Sequence, residues 1–312
     1  MATNKPIFAI VGPTASGKTE IAVELALRLK NAEIINCDSV QIYKTIQIAT
    51  AKPTKEEMRG VPHHLLDYVP PEINYTVSDW SKDAAKKIIE IESRGKTAIL
   101  VGGSGFYLRT LREPFFEGPK PDKKFRERLM ELSEKKGVEH LHKIVNRIDP
   151  ESADKLFSRD YVRNIRAIEV FFQTGQRMSE LQPQRIAPPE FAKRIEVFAL
   201  KPPRDILYEI INKRTETHFK NGLVEEVRLL RENGLRDDTN ALGSHGYRRV
   251  CEYLRGERTL ESAIEKTKQN VRNYAKRQMS WFRKETGVNW IEGFGNEKKT
   301  QDSLWEIAGL TD

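Results

Sequence analysis

The sequence predicts an α/β fold: a parallel sheet core flanked by helices and interrupted by an all-helical insertion. Three observations predict it. Short apolar runs alternate with helical stretches through the first hundred residues. The octapeptide Gly12-Pro13-Thr14-Ala15-Ser16-Gly17-Lys18-Thr19 joins the first such run to the first such stretch. A charged, proline-bounded segment without strand signal then intervenes before an apolar run returns at Arg194–Leu200.

The first run, Ile7–Val11, is apolar throughout, as suits a strand buried on both faces. The octapeptide that follows fits the phosphate-cradling pattern Gly-x-x-x-x-Gly-Lys-[Ser/Thr]. Gly12 and Gly17 permit backbone conformations that side chains oppose. Successive N–H groups and a helix N-terminus then converge on an anion. Lys18 is suited to neutralise outer phosphates, and Thr19 to offer its hydroxyl to Mg²⁺. A glycine-rich turn that binds nothing would leave Lys18-Thr19 without a role. Glu20–Lys30 leads out as a helix, with Ile21, Leu25 and Leu29 on one stripe. The core is therefore P-loop NTPase-like. Hydrolases, kinases and transferases all use such a loop, so it does not choose the reaction.

Glu33–Asn36 and Thr97–Val101 read as further strands, and Ser78–Ser93 as a helix between them. This alternation predicts right-handed crossovers. Ligands of such sheets bind beyond the strand C-termini. The phosphate loop, Asp38 and Gly102-Gly103-Ser104 all fall there. Asp38 is suited to bind Mg²⁺ or to accept a proton. A turn or cap role fits its position equally. Ser104 can exchange one hydrogen bond toward the same cleft. The glycines before it allow close backbone approach, or simply a tight turn. His63-His64 has no third ligand at metal spacing and reads as structural.

Residues 113–121, with Pro114, Pro119 and Pro121, read as a linker. Helical, charged sequence continues to about Leu181, and Pro183, Pro188 and Pro189 close it. The expected domains are 1–114 (first part of the core), 115–190 (helical insertion) and 191–312 (returning strand and C-terminal helices). Two or three helices follow the returning strand. Thr259 can cap the last long one, which runs to about Lys284. The remaining C-terminal residues read as disordered.

The chain is 38% hydrophobic, and no apolar run approaches the roughly 20 residues of a membrane span. The first strand starts almost at once, so no signal peptide is expected. Cys37 and Cys251 have neither metal nor redox spacing, which suits a reducing cytoplasm. Any metal should be oxygen-ligated Mg²⁺. The net charge is +8 and the pI about 9.3. The excess is local: residues 1–110 carry 14 Lys/Arg against 12 Asp/Glu, and residues 243–285 carry 11 against 5. Such clustering is the footprint of a nucleic-acid partner, although a solubilising surface explains charge alone as well. Lys268, Arg272 and Lys276 share a helix face, with Arg277, Trp281 and Arg283 nearby. A basic stripe with an aromatic suits an RNA backbone and an unstacked base; a solvated face is the alternative. Tyr161, Arg163 and Arg166 repeat the combination in the insertion.

Taken in order, Gly12–Thr19, Asp38-Ser39-Val40-Gln41-Ile42-Tyr43, Thr50-Ala51-Lys52-Pro53, His63-His64-Leu65-Leu66-Asp67, Leu100–Leu108 and Lys276-Arg277-Gln278-Met279-Ser280-Trp281-Phe282-Arg283 resemble the bacterial tRNA dimethylallyltransferases from the first strand to about Trp290. The resemblance implies transfer of a dimethylallyl group from its diphosphate to the exocyclic amine of the adenosine just 3′ of the anticodon. Thr14 to Thr19 would then hold the donor's diphosphate, with Mg²⁺ on Thr19. Asp38 would accept the amine proton, and Ser104, where the family usually has Thr, would help hold the flipped base. The tRNA contact would comprise Asp38, Ser39, Val40 and Gln41; Arg126; Val162, Arg163, Asn164, Ile165 and Arg166; Gly243, Ser244, His245, Gly246, Tyr247 and Arg248; and Lys276 to Arg283. The insertion would grip the anticodon stem–loop. The expected partners are that stem–loop and dimethylallyl diphosphate, with no membrane, for a monomer in the cytoplasm. Three positions depart from the family: Ala49 replaces Gly, Ser244-His245-Gly246-Tyr247 replaces an Ile-Gly-Tyr approach, and Ile210 replaces an Arg. The last leaves Arg204 and Arg214 as weaker candidates for donor contacts.

A small-molecule kinase would use the same loop with Asp38 as base. An RNA-binding ATPase would want an Asp at the end of Thr97–Val101, where Gly-Gly-Ser stands instead. An enzyme prenylating free adenine nucleotides would need neither the basic helix nor the insertion.

Overall fold

The structure, a computed structural model, describes residues 5–311. In chain order its elements are β1 (Ile7–Val11), α1 (Lys18–Leu29), β2 (Ala32–Asn36), α2 (Lys55–Met58), β3 (His63–His64), α3 (Val77–Ser93), β4 (Thr97–Gly102) and α4 (Gly105–Arg112). Then come α5 (Lys123–Lys136), α6 (Glu139–Ile148), α7 (Pro150–Lys155), α8 (Tyr161–Thr174) and α9 (Met178–Leu181). A 3₁₀ turn (Glu190–Arg194) leads to β5 (Ile195–Lys201), α10 (Arg204–Lys220), α11 (Leu223–Glu232), α12 (His245–Leu254), α13 (Leu260–Phe282), β6 (Val288–Glu292) and α14 (Lys298–Ile307). The chain divides into two compact units, one of residues up to Arg112 and from Pro189, the other Glu113–Pro188.

The first unit is built on a six-stranded sheet in the order β3-β2-β4-β1-β5-β6, parallel at every pairing. Alternation along each strand sorts its side chains between two cores. Ile7, Ala9 and Val11 face one core with Ile35, Leu100 and Val197, covered by Trp80, Ala84, Ile88 and Ile91 of α3. Phe8 and Ile10 face the other with Ile34, Ile99 and Phe198, covered by Ile21 and Leu25 of α1 and by Leu304 and Trp305 of α14. Each fully buried large apolar side chain contributes about 1.5–3 kcal/mol. Truncating one such as Ile10 to Ala would cost about 2–5 kcal/mol. Thr76 starts α3 with a capping box, accepting from the Asp79 N–H while Asp79 accepts from the Thr76 N–H. Thr259 caps α13 by accepting from the Ser262 N–H, as its sequence position suggests.

Because every strand runs the same way, all strand C-termini meet at one edge. Beyond that edge β2 and β4 stay bonded: the Cys37 N–H donates to the Val101 carbonyl at 2.7 Å and the Ser104 N–H to that of Cys37 at 3.3 Å. The second unit is helical, with one antiparallel bridge, Phe115 to Ile186, near its two chain ends. Leu129, Leu141, Val145, Ile165 and Ile168 form its own core.

The expectation of a disordered C-terminal end is corrected. β6 pairs with β5 from Val197↔Val288 to Lys201↔Glu292, and α14 closes the second core. Val-Asn-Trp-Ile-Glu is short and buries only Ile291, so it lacks the continuous apolar run of the inner strands. An edge strand takes its order from the neighbour it bonds.

Candidate active site

The phosphate loop fills the gap between the end of β1 and the start of α1. Ala15 and Gly17 sit in the left-handed region (φ 65° and 81°). Its backbone is held from two directions. The Thr14 N–H donates to Gln278 Oε1 at 2.8 Å, and the Ser16 carbonyl accepts from the Gly295 N–H at 2.9 Å. Lys18 Nζ folds back to the Pro13 carbonyl at 2.6 Å. Burial pushes its pKa down to about 8, with Asp38 opposing the shift and Arg214 adding to it. The Ser16 hydroxyl is buried without a partner, an unmet capacity at the centre of the loop.

The loop forms one wall of a cavity of about 610 Å³. Residues 14–19 line it together with Asp38, Gln41, Lys52, Arg214, His218 and Gln278. Asp38 takes the turn role foreseen for its position and also lines the cavity. Oδ1 accepts the N–H groups of Val40 (2.8 Å) and Gln41 (3.3 Å), a turn that orients the carboxylate; Oδ2 has no hydrogen-bond partner among the described residues. Ser104 Oγ accepts the Ser39 N–H at 3.2 Å, tying this turn to the end of β4. Gln41 Nε2 donates to the carbonyls of Thr50 and Ala51. Lys52 Nζ donates to the Ile46 carbonyl at 2.7 Å and to Asp67 at 2.6 Å. The Thr-Ala-Lys-Pro box is thus a brace for the loop after β2. His64 bonds Glu33, which also takes Arg94 and Lys96 and is held near pH 2 against its burial by these cations. This cluster joins β3 to the sheet.

A second pocket of about 100 Å³ continues from the first, sharing Thr14, Asp38, Arg214 and His218. Its apolar wall is Val40, Ala49, Ile211, Phe219, Leu223 and Val271. The departure at Ala49 packs here: a Cβ on Gly246 would stand 3.1 Å from the Ala49 Cβ. Through Val40, Ser244, His245 and Tyr274 the second pocket adjoins a third of about 700 Å³. Burial, then neighbouring arginines, push His218 and His245 down to about 4, so both are neutral at neutral pH.

Other expected contacts separate by exposure. Ser39, Val40, Gly243, Ser244, His245 and Arg248 line the third pocket. Lys276, Arg277, Ser280 and Arg283 are exposed on α13 and Met279 is half-buried; Val162 and Arg163 are exposed in the insertion. Arg126 and Arg166 both bond the buried Glu169 carboxylate. Six expected contacts are buried: Asn164, Ile165, Gly246, Tyr247, Gln278 and Phe282. Asn164 donates to the Phe157 and Asp160 carbonyls, and the Tyr247 hydroxyl to Glu226 at 2.7 Å. Trp281 is packed against Phe106, with Arg109 over its ring at 4.4 Å. The stripe Lys268-Arg272-Lys276 is also corrected. Lys268 pairs with Glu216 and Glu265, and Arg272 donates to Asn212, because α10 packs along this face.

The sequence undervalued Arg214, which lines both pockets and whose side chain has no hydrogen bond or ion pair among the described residues. Arg204 is exposed and stacks on Tyr208 instead. His218, one turn after Arg214, and Gly295 carried no motif. The Gly295 contact is backbone to backbone, which no side-chain pattern announces.

A family model described as IPP transferase matches residues 41–285. The chain is 43% identical over 287 residues to the tRNA dimethylallyltransferase of Geobacter metallireducens, covering 92% of each. It is 43% identical over 291 residues to that of Koribacter versatilis, covering 93% and 94%. Among solved structures it resembles the tRNA isopentenylpyrophosphate transferase of Bacillus halodurans (37% identity, 98% and 97% covered, TM-score 0.71). It also resembles a eukaryotic dimethylallyltransferase acting on tRNA (26% identity, 98% and 76% covered, TM-score 0.76). A parallel sheet with a phosphate loop and Asp38 at one edge, together with matches that span nearly the whole chain, establishes that this chain belongs to the IPP transferase family.

Proposed function

We propose that this chain transfers a dimethylallyl group from dimethylallyl diphosphate to the exocyclic amine of the tRNA adenosine 3′-adjacent to the anticodon, releasing diphosphate. The observation that carries the reading is the shared cavity. Asp38 and the phosphate loop line one space, and the apolar pocket beside it has room for a five-carbon group. The diphosphate lies along Thr14–Thr19, and the allyl group points toward Val40, Leu223 and Val271. The adenine enters from the third pocket, beside Ser39 and Tyr274, once it has left its stack.

The amine lone pair attacks the terminal allylic carbon as the carbon–oxygen bond breaks. That electron pair leaves with the diphosphate. The amine proton passes to the free oxygen of Asp38 as the new bond forms. Lys18, Arg214 and the backbone N–H groups at the start of α1 stabilise the charge that develops on the leaving oxygens. The apolar wall keeps water from the allylic carbon. Thr19 and the unpartnered Ser16 hydroxyl offer hard oxygen donors suited to Mg²⁺. Bound there, the ion would add positive charge at the diphosphate.

The test offers labelled dimethylallyl diphosphate and unmodified tRNA, with ATP as the competing donor. Label should enter the RNA, and no phosphoryl transfer from ATP should occur. Asp38→Ala should lower transfer at least about 100-fold while leaving tRNA affinity within about threefold. An equal loss of tRNA affinity would make Asp38 a residue that positions RNA rather than a base.

A further inference from the structure

Gln278 is the only side chain of α13 that lines the cavity of the phosphate loop. It is 4% exposed and bonded at both ends. Oε1 accepts from the Thr14 N–H at 2.8 Å, and Nε2 donates to the Gly103 carbonyl at 2.9 Å. A Cβ at position 103 would collide with Nε2 and lie 3.2 Å from Cδ. The second glycine after β4 therefore makes room for this amide. Two segments at the sheet edge, 89 residues apart in sequence, are pinned to one side chain. Freeing a buried amide leaves its donor and acceptor unpaired, so the clamp resists partial opening.

The opposite face of the same helical turns carries Lys276, Arg277, Arg283 and Lys284, all exposed. These like charges repel one another, and RNA phosphates laid along them remove the repulsion. RNA thus favours an ordered end of α13. The same helix end holds Thr14.

We infer that Gln278 is a positioning residue that couples RNA on the outer face of α13 to diphosphate on the phosphate loop. The inference rests on the function proposed above. RNA steadies α13, the amide carries that constraint to Thr14, and the loop is held ready for the donor. Coupling of this kind is reciprocal, so diphosphate tightens RNA binding by the same factor.

The experiment titrates inorganic diphosphate with Mg²⁺ into the full chain, alone and saturated with an anticodon stem–loop, by calorimetry. In the wild type, RNA should tighten diphosphate binding about fivefold or more. Gln278→Met keeps the volume and removes both bonds, so the ratio should fall to about one. Gly103→Ala displaces the amide from its other side and should do the same, which preserves the test if the Met variant misfolds. A merely structural glutamine would weaken diphosphate equally with and without RNA and leave the wild-type ratio intact. That outcome overturns the inference, as does a wild-type ratio of one. A wild type that binds no diphosphate in either state overturns the proposed function itself.

Discussion

Gly295→Ala isolates the contact between the C-terminal segment and the phosphate loop. Gly295 is not in the left-handed region, so Ala adds no backbone strain there. Its added Cβ would stand 2.7 Å from the Gly17 carbonyl carbon and nearer still to the Gly17 oxygen. Ordinary contact begins at 3.4 Å, a deficit of about 0.7 Å at the carbon, and the nearer oxygen raises the total to about 1 Å. Neither partner can swing aside, because both are main chain. A misplacement of about 1 Å at a reacting site costs up to about 100-fold. If the two segments share the shift, the loop's part is about tenfold, or about 1.4 kcal/mol. Overpacking should also lower global stability by about 1–3 kcal/mol. Calorimetric titration of diphosphate should therefore show about tenfold weaker binding, with stem–loop affinity within twofold of wild type. Asn296→Ala, at an exposed neighbour, should change neither. A folded Gly295→Ala protein with wild-type diphosphate affinity would refute the reasoning that this turn shapes the loop.

Two further outcomes follow from charges at the site. Lys18 has its pKa pushed down to about 8, so above that pH an anion must reprotonate it on binding. Diphosphate affinity should fall about tenfold per unit as pH rises past 8, and Lys18→Arg should flatten that fall, read as the ratio of the two proteins across pH 7–9.5. Lys276 is exposed whereas Lys268 is paired with two carboxylates. Lys276→Ala should therefore reduce the salt slope of tRNA binding by about one, and Lys268→Ala should leave it unchanged. Equal slopes in the two variants would remove the RNA from this face of α13.

Much of the site was legible because its chemistry is local. The octapeptide specifies its own turn, and parallel strands must place their following loops at one edge, so Asp38 could be assigned to the cleft from sequence; Ser104 falls at the same edge, but its hydroxyl takes the Ser39 N–H and it lines none of the three pockets. Arg126 and Arg166 could be identified but not their partner, since the buried Glu169 that binds both looks like any helical glutamate. The basic stripe on α13 failed as a unit for a similar reason. Helical spacing says which residues share a face, and only the packing of α10 says that half of that face is occupied.

From its own composition the chain determined the sheet, the phosphate loop and the apolar alternation that sorts two cores, because these depend on neighbours within a turn or a strand. The tertiary structure alone decided that the C-terminal residues form a sixth strand, that Gly295 braces the loop, and that Gln278 clamps it from within while Arg214 reaches the cavity. Each of those contacts joins segments distant in the chain. Their energies depend on separations that no run of residues encodes until the fold brings both sides together.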